Sequence, residues 1–323
     1  MAPTQISEGV LNVIFCVVAL MGNTFIVTIN FRDWIKSNKD MKISNVIVTF
    51  LGVTNICLQC AMYVLHLGAN FLVDIIVNPD GVFDAVMTVC YCLYTSSLWL
   101  AAWLCVYYCI MIAKWSHPSY IWIRVRFPKV VPWLLCGSQL FSLTNIISTD
   151  CNVYDQAFTD QMSSVLNDTY YNISSNCTKT NVISESGCLI VFLIHALVAS
   201  ASFAIFSFSA GMIITTLYGH MKLMSRTGDS FRNPRLDAHL GAMKTVTMLL
   251  ILYISNYLAY CLIVLRVVRY NSIGFMIGKI VTSAFPATSS CILILGNRRL
   301  KKTLGQILRK TRCCKGEAPL SAS

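Results

Sequence analysis

The chain of 323 residues is 56% hydrophobic and only 12% charged, and it carries a formal net charge of +11. Its mean hydropathy of +0.63 excludes an ordinary soluble domain and predicts a membrane protein. The positive charge reflects membrane topology and contact with an anionic inner leaflet, and no nucleic-acid binding is expected.

Seven apolar stretches are long enough to cross a bilayer, since about 20 mostly apolar residues span the hydrocarbon core as a helix. The predicted fold class is an all-α membrane protein with seven transmembrane helices in residues 1–298. In chain order, these helices are predicted at 9–31, 43–66, 84–112, 130–149, 186–217, 242–265 and 273–296.

The positions of Lys and Arg predict the orientation, because short loops rich in these residues stay in the cytosol. All but four of the 25 Lys and Arg residues fall in the first, third and fifth loops or behind the last helix. The N-terminus is therefore expected outside and the C-terminus inside the plasma membrane. Such a topology is typical of a G-protein-coupled receptor (GPCR) bundle.

The loop at 150–185 contains three sequons, which are meaningful only on an extracellular or lumenal face. We expect glycosylation at one or more of Asn167, Asn172 and Asn176. Most of the 15 cysteines lie inside predicted helices, where they behave as small hydrophobic residues. No metal site or cofactor is expected.

Residues 299–323 follow the last apolar stretch and begin with "RRLKKTLGQILRKTRCCK" from residue 298. Apolar residues fall on one side of this segment and cations on the other, which predicts a short amphipathic helix 8 on the inner leaflet. Cys313 and Cys314 at its end are candidates for palmitoylation.

Motifs of catalysis are missing from the sequence: it has no HExxH, no Gly-rich phosphate loop and no GxSxG. We therefore expect no enzyme. A transporter would need several ionisable groups at mid-membrane, and this chain has almost none, with Lys279 as the exception. Two interpretations of Lys279 stay open: its ammonium reaches the outer interface, or it faces a ligand pocket.

"FPATSSCILILGNRRLKK" (285–302) resembles the end of the seventh helix in type 2 (bitter) taste receptors. Three further stretches are similar to segments of the same family. They are "GNTFIVTINFRDWIKSNK" (22–39), "YYCIMIAKWSHPSYIWIRVRFPKVV" (107–131) and "LYGHMKLMSRTGDSFRNPRLDAHLGAMKTV" (217–246). The resemblance implies a receptor for small bitter molecules that couples to a gustducin-like heterotrimeric G protein.

Several positions depart from the family pattern, so the chain is identified as a divergent member. Asn55 stands where the family has an Arg in helix two, and Ser289 replaces a His in helix seven. Cys90 and Tyr94 stand where many members have an aromatic residue and an Asn. Asn55 is still expected to form a hydrogen bond between helices.

The predicted ligand site lies at the outer side of the bundle and takes small amphipathic molecules of varied shape. Helical spacing places candidates on one face of the third helix and on one face of the sixth, and Lys279 matches a ligand-contacting position of the family. The candidates are Met87, Cys90, Tyr91, Tyr94, Asn256, Tyr257, Tyr260 and Lys279.

The predicted G-protein side is the inner face, where cations surround the opening of the bundle. Positive-inside topology accounts for most of them, while His220 matches a His of the family's fifth helix. The candidates are Arg124, Arg126, His220, Lys222, Arg226 and Lys244.

Three alternatives remain from the sequence. A vomeronasal-like pheromone receptor shares the bundle but not these stretches. A seven-helix retinal protein is suggested by the lysine in the last helix, although no acidic counter-ion is evident. A channel or transporter is disfavoured by the few charges within the membrane.

Overall fold

The computed structural model describes residues 3–37, 42–71, 82–112, 118–143, 185–226, 234–264, 268 and 272–316. Side chains at several helix ends lie outside this description, among them those of Met87, His220, Arg226, Cys313 and Cys314. The three sequon asparagines also lie outside the described residues.

The described residues form eight helices. Their bounds, in chain order, are Pro3–Lys36 (α1), Ile43–Phe71 (α2), Val82–Ile112 (α3), Pro118–Leu143 (α4), Glu185–Arg226 (α5), Pro234–Val264 (α6), Ile273–Gly296 (α7) and Arg298–Gly316 (α8).

Helix α4 begins at Pro118, well before the predicted segment 130–149. Proline suits the first helical turn, because the N–H that it lacks would have no partner there. Arg124 and Arg126 therefore lie on a helix and not in a loop. Helix α5 also continues beyond its predicted end at residue 217, and α6 begins before its predicted start at residue 242. Hydropathy marks the lipid crossing, while backbone hydrogen bonding continues into the interface.

Six of the described helices are long and apolar enough to cross a bilayer. Helix α4 is not among them, because Arg124, Arg126 and Lys129 occupy its first half. Its described residues still pack onto α3 and complete the seven-helix bundle.

The helices pack as a ring in the order α1, α2, α3, α5, α6, α7 and back to α1, with α4 outside against α3. Two apolar clusters fill the ring. One joins α1, α2, α3, α4, α7 and α8 around Ile26, Ile47 and Leu300. The other joins α3, α5, α6 and α7 around Phe206, Tyr253 and Phe285.

Asn297 separates α7 from α8. Its backbone N–H donates to Leu293 O at 3.0 Å and so finishes the seventh helix. Its side-chain Oδ1 accepts from the backbone N–H of Arg299 at 3.0 Å and thereby caps α8. One residue thus fixes the point at which the chain leaves the bundle.

Candidate functional site

The third and sixth helices are joined by an aromatic and amide cluster, which consists of Tyr94, Asn256 and Tyr260. Asn256 Nδ2 donates to Tyr94 Oη at 2.7 Å. The Tyr94 and Tyr260 rings stack with centroids 5.1 Å apart. Asn256 and Tyr260 are one helical turn apart, so both side chains reach α3 from the same face of α6.

Asn256 is fully buried, with 0% of its surface exposed. Its Oδ1 has no hydrogen-bond partner among the described residues. Leaving a buried acceptor unpaired costs about 1–3 kcal/mol. The amide therefore offers an acceptor to an N–H or O–H group, either of a ligand or of a water molecule.

Tyr257 points towards α5 rather than into this cluster. Its hydroxyl forms a 2.7 Å hydrogen bond with Ser200 Oγ. Its ring stacks on Phe203 with centroids 4.2 Å apart. The predicted helix-six face is therefore divided, with Asn256 and Tyr260 directed to α3 and Tyr257 to α5.

Tyr253 lies one turn before Asn256 along α6 and borders the cluster on the side nearer the start of that helix. Its hydroxyl donates to Leu98 O at 3.2 Å, and its ring stacks on Phe206 at 4.1 Å. Phe203 and Phe206 of α5 were not predicted as site residues. Phe203 and Phe206 are three residues apart in an aromatic stretch, and this i, i+3 spacing is the sequence signal that could have found them.

The remaining ligand candidates whose side chains the structure describes lie on α3 and α7. Cys90 lies one turn before Tyr94 and is buried, and Tyr91 is half-buried. Lys279 is half-buried on α7, and its Nζ lies 5.9 Å from the centroid of the Phe275 ring. The contact is a cation–π interaction one turn along the same helix.

A cavity of about 30 Å³ is lined in part by Tyr253. None of the predicted ligand residues whose side chains the structure describes lines it. Its walls are Leu51, Ala101, Leu104, Cys105, Tyr108, Phe206, Val246, Leu249, Leu252, Tyr253, Phe285, Ser289 and Leu293. It is the size of one water molecule and far below the roughly 300 Å³ that a small-molecule site needs.

Asn55 takes part in a polar contact inside the bundle, as predicted. Its Oδ1 accepts from Ser97 Oγ at 2.7 Å and joins α2 to α3. Asn23 Nδ2 donates to Pro286 O at 3.2 Å and joins α1 to α7. The expected hydrogen bond of Asn55 is therefore confirmed, although the family's Arg is absent.

The cationic candidates of the inner face are solvent-exposed where the structure describes their side chains. Arg124 and Arg126 lie near the start of α4, Lys222 near the end of α5, and Lys244 in the first half of α6. Phe127 and Val131 of α4 pack in the same apolar cluster as Leu300 of α8. The start of α4 therefore lies at the same end of the bundle as α8.

The family model described as "Taste receptor protein (TAS2R)" matches residues 4–312. This match covers α1 from its second residue, all of α2 to α7 and most of α8. The chain belongs to the taste receptor (TAS2R) family. The prediction from the four motif stretches is confirmed.

Two curated relatives illustrate how far this taste receptor has diverged. Taste receptor type 2 member 40 of Gallus gallus is 32% identical over 306 residues, covering 92% of this chain and 93% of the relative. Taste receptor type 2 member 2 of Homo sapiens is 30% identical over 287 residues, covering 88% of this chain and 90% of the relative. Both similarities extend over nearly the full length of the taste receptor.

The fold is also similar to that of a solved receptor. The crystal structure of squid rhodopsin superposes with a TM-score of 0.57 and 10% sequence identity, covering 97% of this chain and 88% of the rhodopsin chain. The taste receptor is therefore a multi-pass membrane protein with the seven-helix GPCR fold and a helix 8.

Proposed function

We propose that this taste receptor detects small bitter molecules in a pocket between α3, α5, α6 and α7 and activates a gustducin-like heterotrimeric G protein. Its N-terminus is extracellular and its C-terminus cytoplasmic in this proposal. The observation that supports this position of the pocket is the Tyr94–Asn256–Tyr260 cluster, which joins α3 and α6 through one hydrogen bond and one ring stack.

The chemistry of this cluster supports an amphipathic ligand. Two stacked aromatic rings offer apolar surface, and the unpaired Asn256 Oδ1 offers one buried acceptor. A ligand that inserts between Tyr94 and Tyr260 gains apolar burial of about 25 cal/mol per Å² and donates one hydrogen bond to Asn256. Few fixed polar groups predict broad tuning and modest affinity.

The inner face supports contact with a G protein. Exposed cations lie at the start of α4 and near the inner ends of α5 and α6, as described above. Lys and Arg are the residues that short cytoplasmic segments accumulate, so this end is assigned to the cytosol. His220, Arg226 and the sequons Asn167, Asn172 and Asn176 remain predictions, since their side chains lie outside the described residues.

The test is calcium release in cells that co-express the receptor with a chimeric gustducin-type Gα. A panel of diverse bitter compounds, including anions, supplies agonists. The variants Tyr94→Phe and Asn256→Leu are expected to shift the half-maximal agonist concentration at least tenfold. Tyr218→Phe is the matched control, because this exposed tyrosine of α5 lies far from the cluster along the helix.

Surface expression of every variant is measured in parallel with an extracellular tag. Silence of the wild-type receptor across the panel, despite surface expression, would contradict bitter sensing. Wild-type responses that survive Tyr94→Phe and Asn256→Leu unchanged would contradict the pocket but not the receptor function. A response with one class of Gα and not with the gustducin-type chimera would replace the proposed G protein.

A further inference from the structure

The outward face of α4 carries a stripe of two cations between two tryptophans, formed by Trp122, Arg126, Lys129 and Trp133. These residues follow one another at intervals of four, three and four, so their side chains lie along one side of the helix. All four are exposed, Trp122 at 57% and Trp133 at 79%. This side is opposite Phe127, Val131 and Leu135, which pack into the bundle.

We propose that this α4 stripe binds a phosphoinositide of the inner leaflet. This proposal rests on the proposed function for the membrane orientation and adds a lipid partner to it. Arg126 and Lys129 are about 4.5 Å apart along the helix axis, which suits a headgroup with more than one phosphate charge. No acidic residue lies anywhere in Pro118–Leu143 to neutralise them.

The Arg126 side chain is positioned for this contact by Trp122. Its guanidinium carbon lies 4.7 Å from the centre of the Trp122 ring. Stacking uses the face of the guanidinium and leaves its N–H groups in the plane to donate to phosphate oxygens. Neither Arg126 nor Lys129 forms an ion pair within the described ranges of the chain. Both cations are therefore open to an anionic partner.

The continuation of the stripe fits the acyl part of a lipid. Trp133 lies one turn beyond Lys129 on the same side of α4, and amphipathic aromatic rings of this kind prefer the membrane interface. Cys136 and Leu140 follow on the same side and are exposed, Leu140 at 67%. A headgroup on the cations and a chain along Trp133 and Leu140 would be bound together.

The experiment measures lipid retention by the full-length receptor in nanodiscs of phosphatidylcholine. Fluorescent phosphatidylinositol 4-phosphate is added at low mole fraction. Binding is measured as energy transfer from the receptor to this labelled lipid. We expect Arg126→Gln/Lys129→Gln to reduce binding at least fivefold. The control Arg124→Gln/Lys222→Gln removes two exposed cations at the same end but outside the stripe, and we expect less than a twofold change.

The proposal would be overturned if the two double variants lost lipid binding equally, or if the receptor bound labelled phosphatidylcholine or labelled phosphatidylserine as well as the phosphoinositide. It would also be overturned if soluble inositol 1,4-bisphosphate competed for the site as strongly as the unlabelled lipid does. Folding is checked by melting temperature. If the double variant does not fold, Lys129→Gln with Arg124→Gln as control makes the same comparison. The readout needs no agonist or G protein, so its failure is distinguishable from failure of the proposed function.

Discussion

Arg299, the second residue of α8, forms an ion pair with Asp33 near the end of α1. The other guanidinium nitrogen donates to Asn30 Oδ1, and Asn30 Nδ2 donates to Thr49 Oγ1 of α2 at 3.1 Å. One arginine therefore connects α8 to both α1 and α2. Asn297 fixes where α8 begins, and Arg299 fixes the direction in which it leaves.

Replacing this arginine should loosen α8 from the bundle. Arg299→Gln removes the ion pair and leaves the buried Asn30 Oδ1 without its donor. Both charged side chains are more than one-third exposed, so the pair itself contributes little, and we expect a loss of about 1 kcal/mol in total. The measurement is the melting temperature of the purified receptor, which should fall by a few degrees.

The neighbouring cation provides the control for this change. Arg298 is exposed at the same helix start and forms no ion pair within the described part of the chain. Arg298→Gln should leave the melting temperature within error. Asp33→Asn should reproduce only part of the Arg299→Gln effect, because Asn30 keeps its donor. Identical melting of all three variants would show that the contact does not hold α8.

The positions of the spanning helices were predictable because apolar length and loop charge are strong signals in a membrane protein. The start of α4 was not predictable, because Arg124, Arg126 and Lys129 interrupt the apolar stretch and hydropathy does not detect a helix there. Helical spacing placed Tyr94 on one face of the third helix and Asn256 and Tyr260 on one face of the sixth, and in the structure these two faces are in contact. Which neighbour each tyrosine contacts depends on helix rotation, so Tyr257 turning to Ser200 was not predictable.

Removing either partner of the hydrogen bond between Asn256 and Tyr94 should lower the stability of the receptor by different amounts. Tyr94→Phe leaves the whole buried amide of Asn256 without a partner, because its Oδ1 already lacks one. Asn256→Leu takes the donor away from the Tyr94 hydroxyl, but it also removes the unpaired acceptor Oδ1. We therefore expect Tyr94→Phe to cost about 1–3 kcal/mol and Asn256→Leu clearly less.

A double-mutant cycle separates these contributions. Tyr94→Phe/Asn256→Leu should be more stable than Tyr94→Phe alone, since no buried amide is then left unpaired. Melting temperatures of the four proteins without ligand provide the cycle. Additive losses would mean that the two side chains do not share the hydrogen bond in the receptor.

Gly22 marks a close approach of α1 to α7. A Cβ at this position would overlap Ser290 Oγ and lie 3.0 Å from Ser290 Cβ. Gly22→Ala therefore forces the two helices apart, and we expect a loss of about 1–3 kcal/mol from overpacking. Gly137→Ala on α4 is the matched control, because nothing lies within 4 Å of its added Cβ.

Gly22→Ala should lower the melting temperature of the receptor, whereas Gly137→Ala should not. Gly137→Ala is expected to be neutral or slightly stabilising, since alanine is favoured over glycine in a helix by about 1 kcal/mol. Adding Ser290→Gly to Gly22→Ala should restore part of the lost stability by removing the overlapping atoms. A Gly22→Ala receptor as stable as the Gly137→Ala receptor would rule out the close approach.

Lys279 is the one basic residue within the described span of α7, and its ammonium lies over the Phe275 ring. If it faces the ligand, it should favour acidic or strongly hydrogen-bond-accepting agonists over cationic ones. Lys279→Ala is then expected to raise the half-maximal concentration of anionic agonists about tenfold and to leave neutral agonists within twofold. Lys279→Arg keeps the charge and should retain most of the response to anions. Equal losses for neutral and anionic agonists in Lys279→Ala would instead assign the lysine to packing against Phe275 at the outer interface, where its ammonium reaches water along the aliphatic stem.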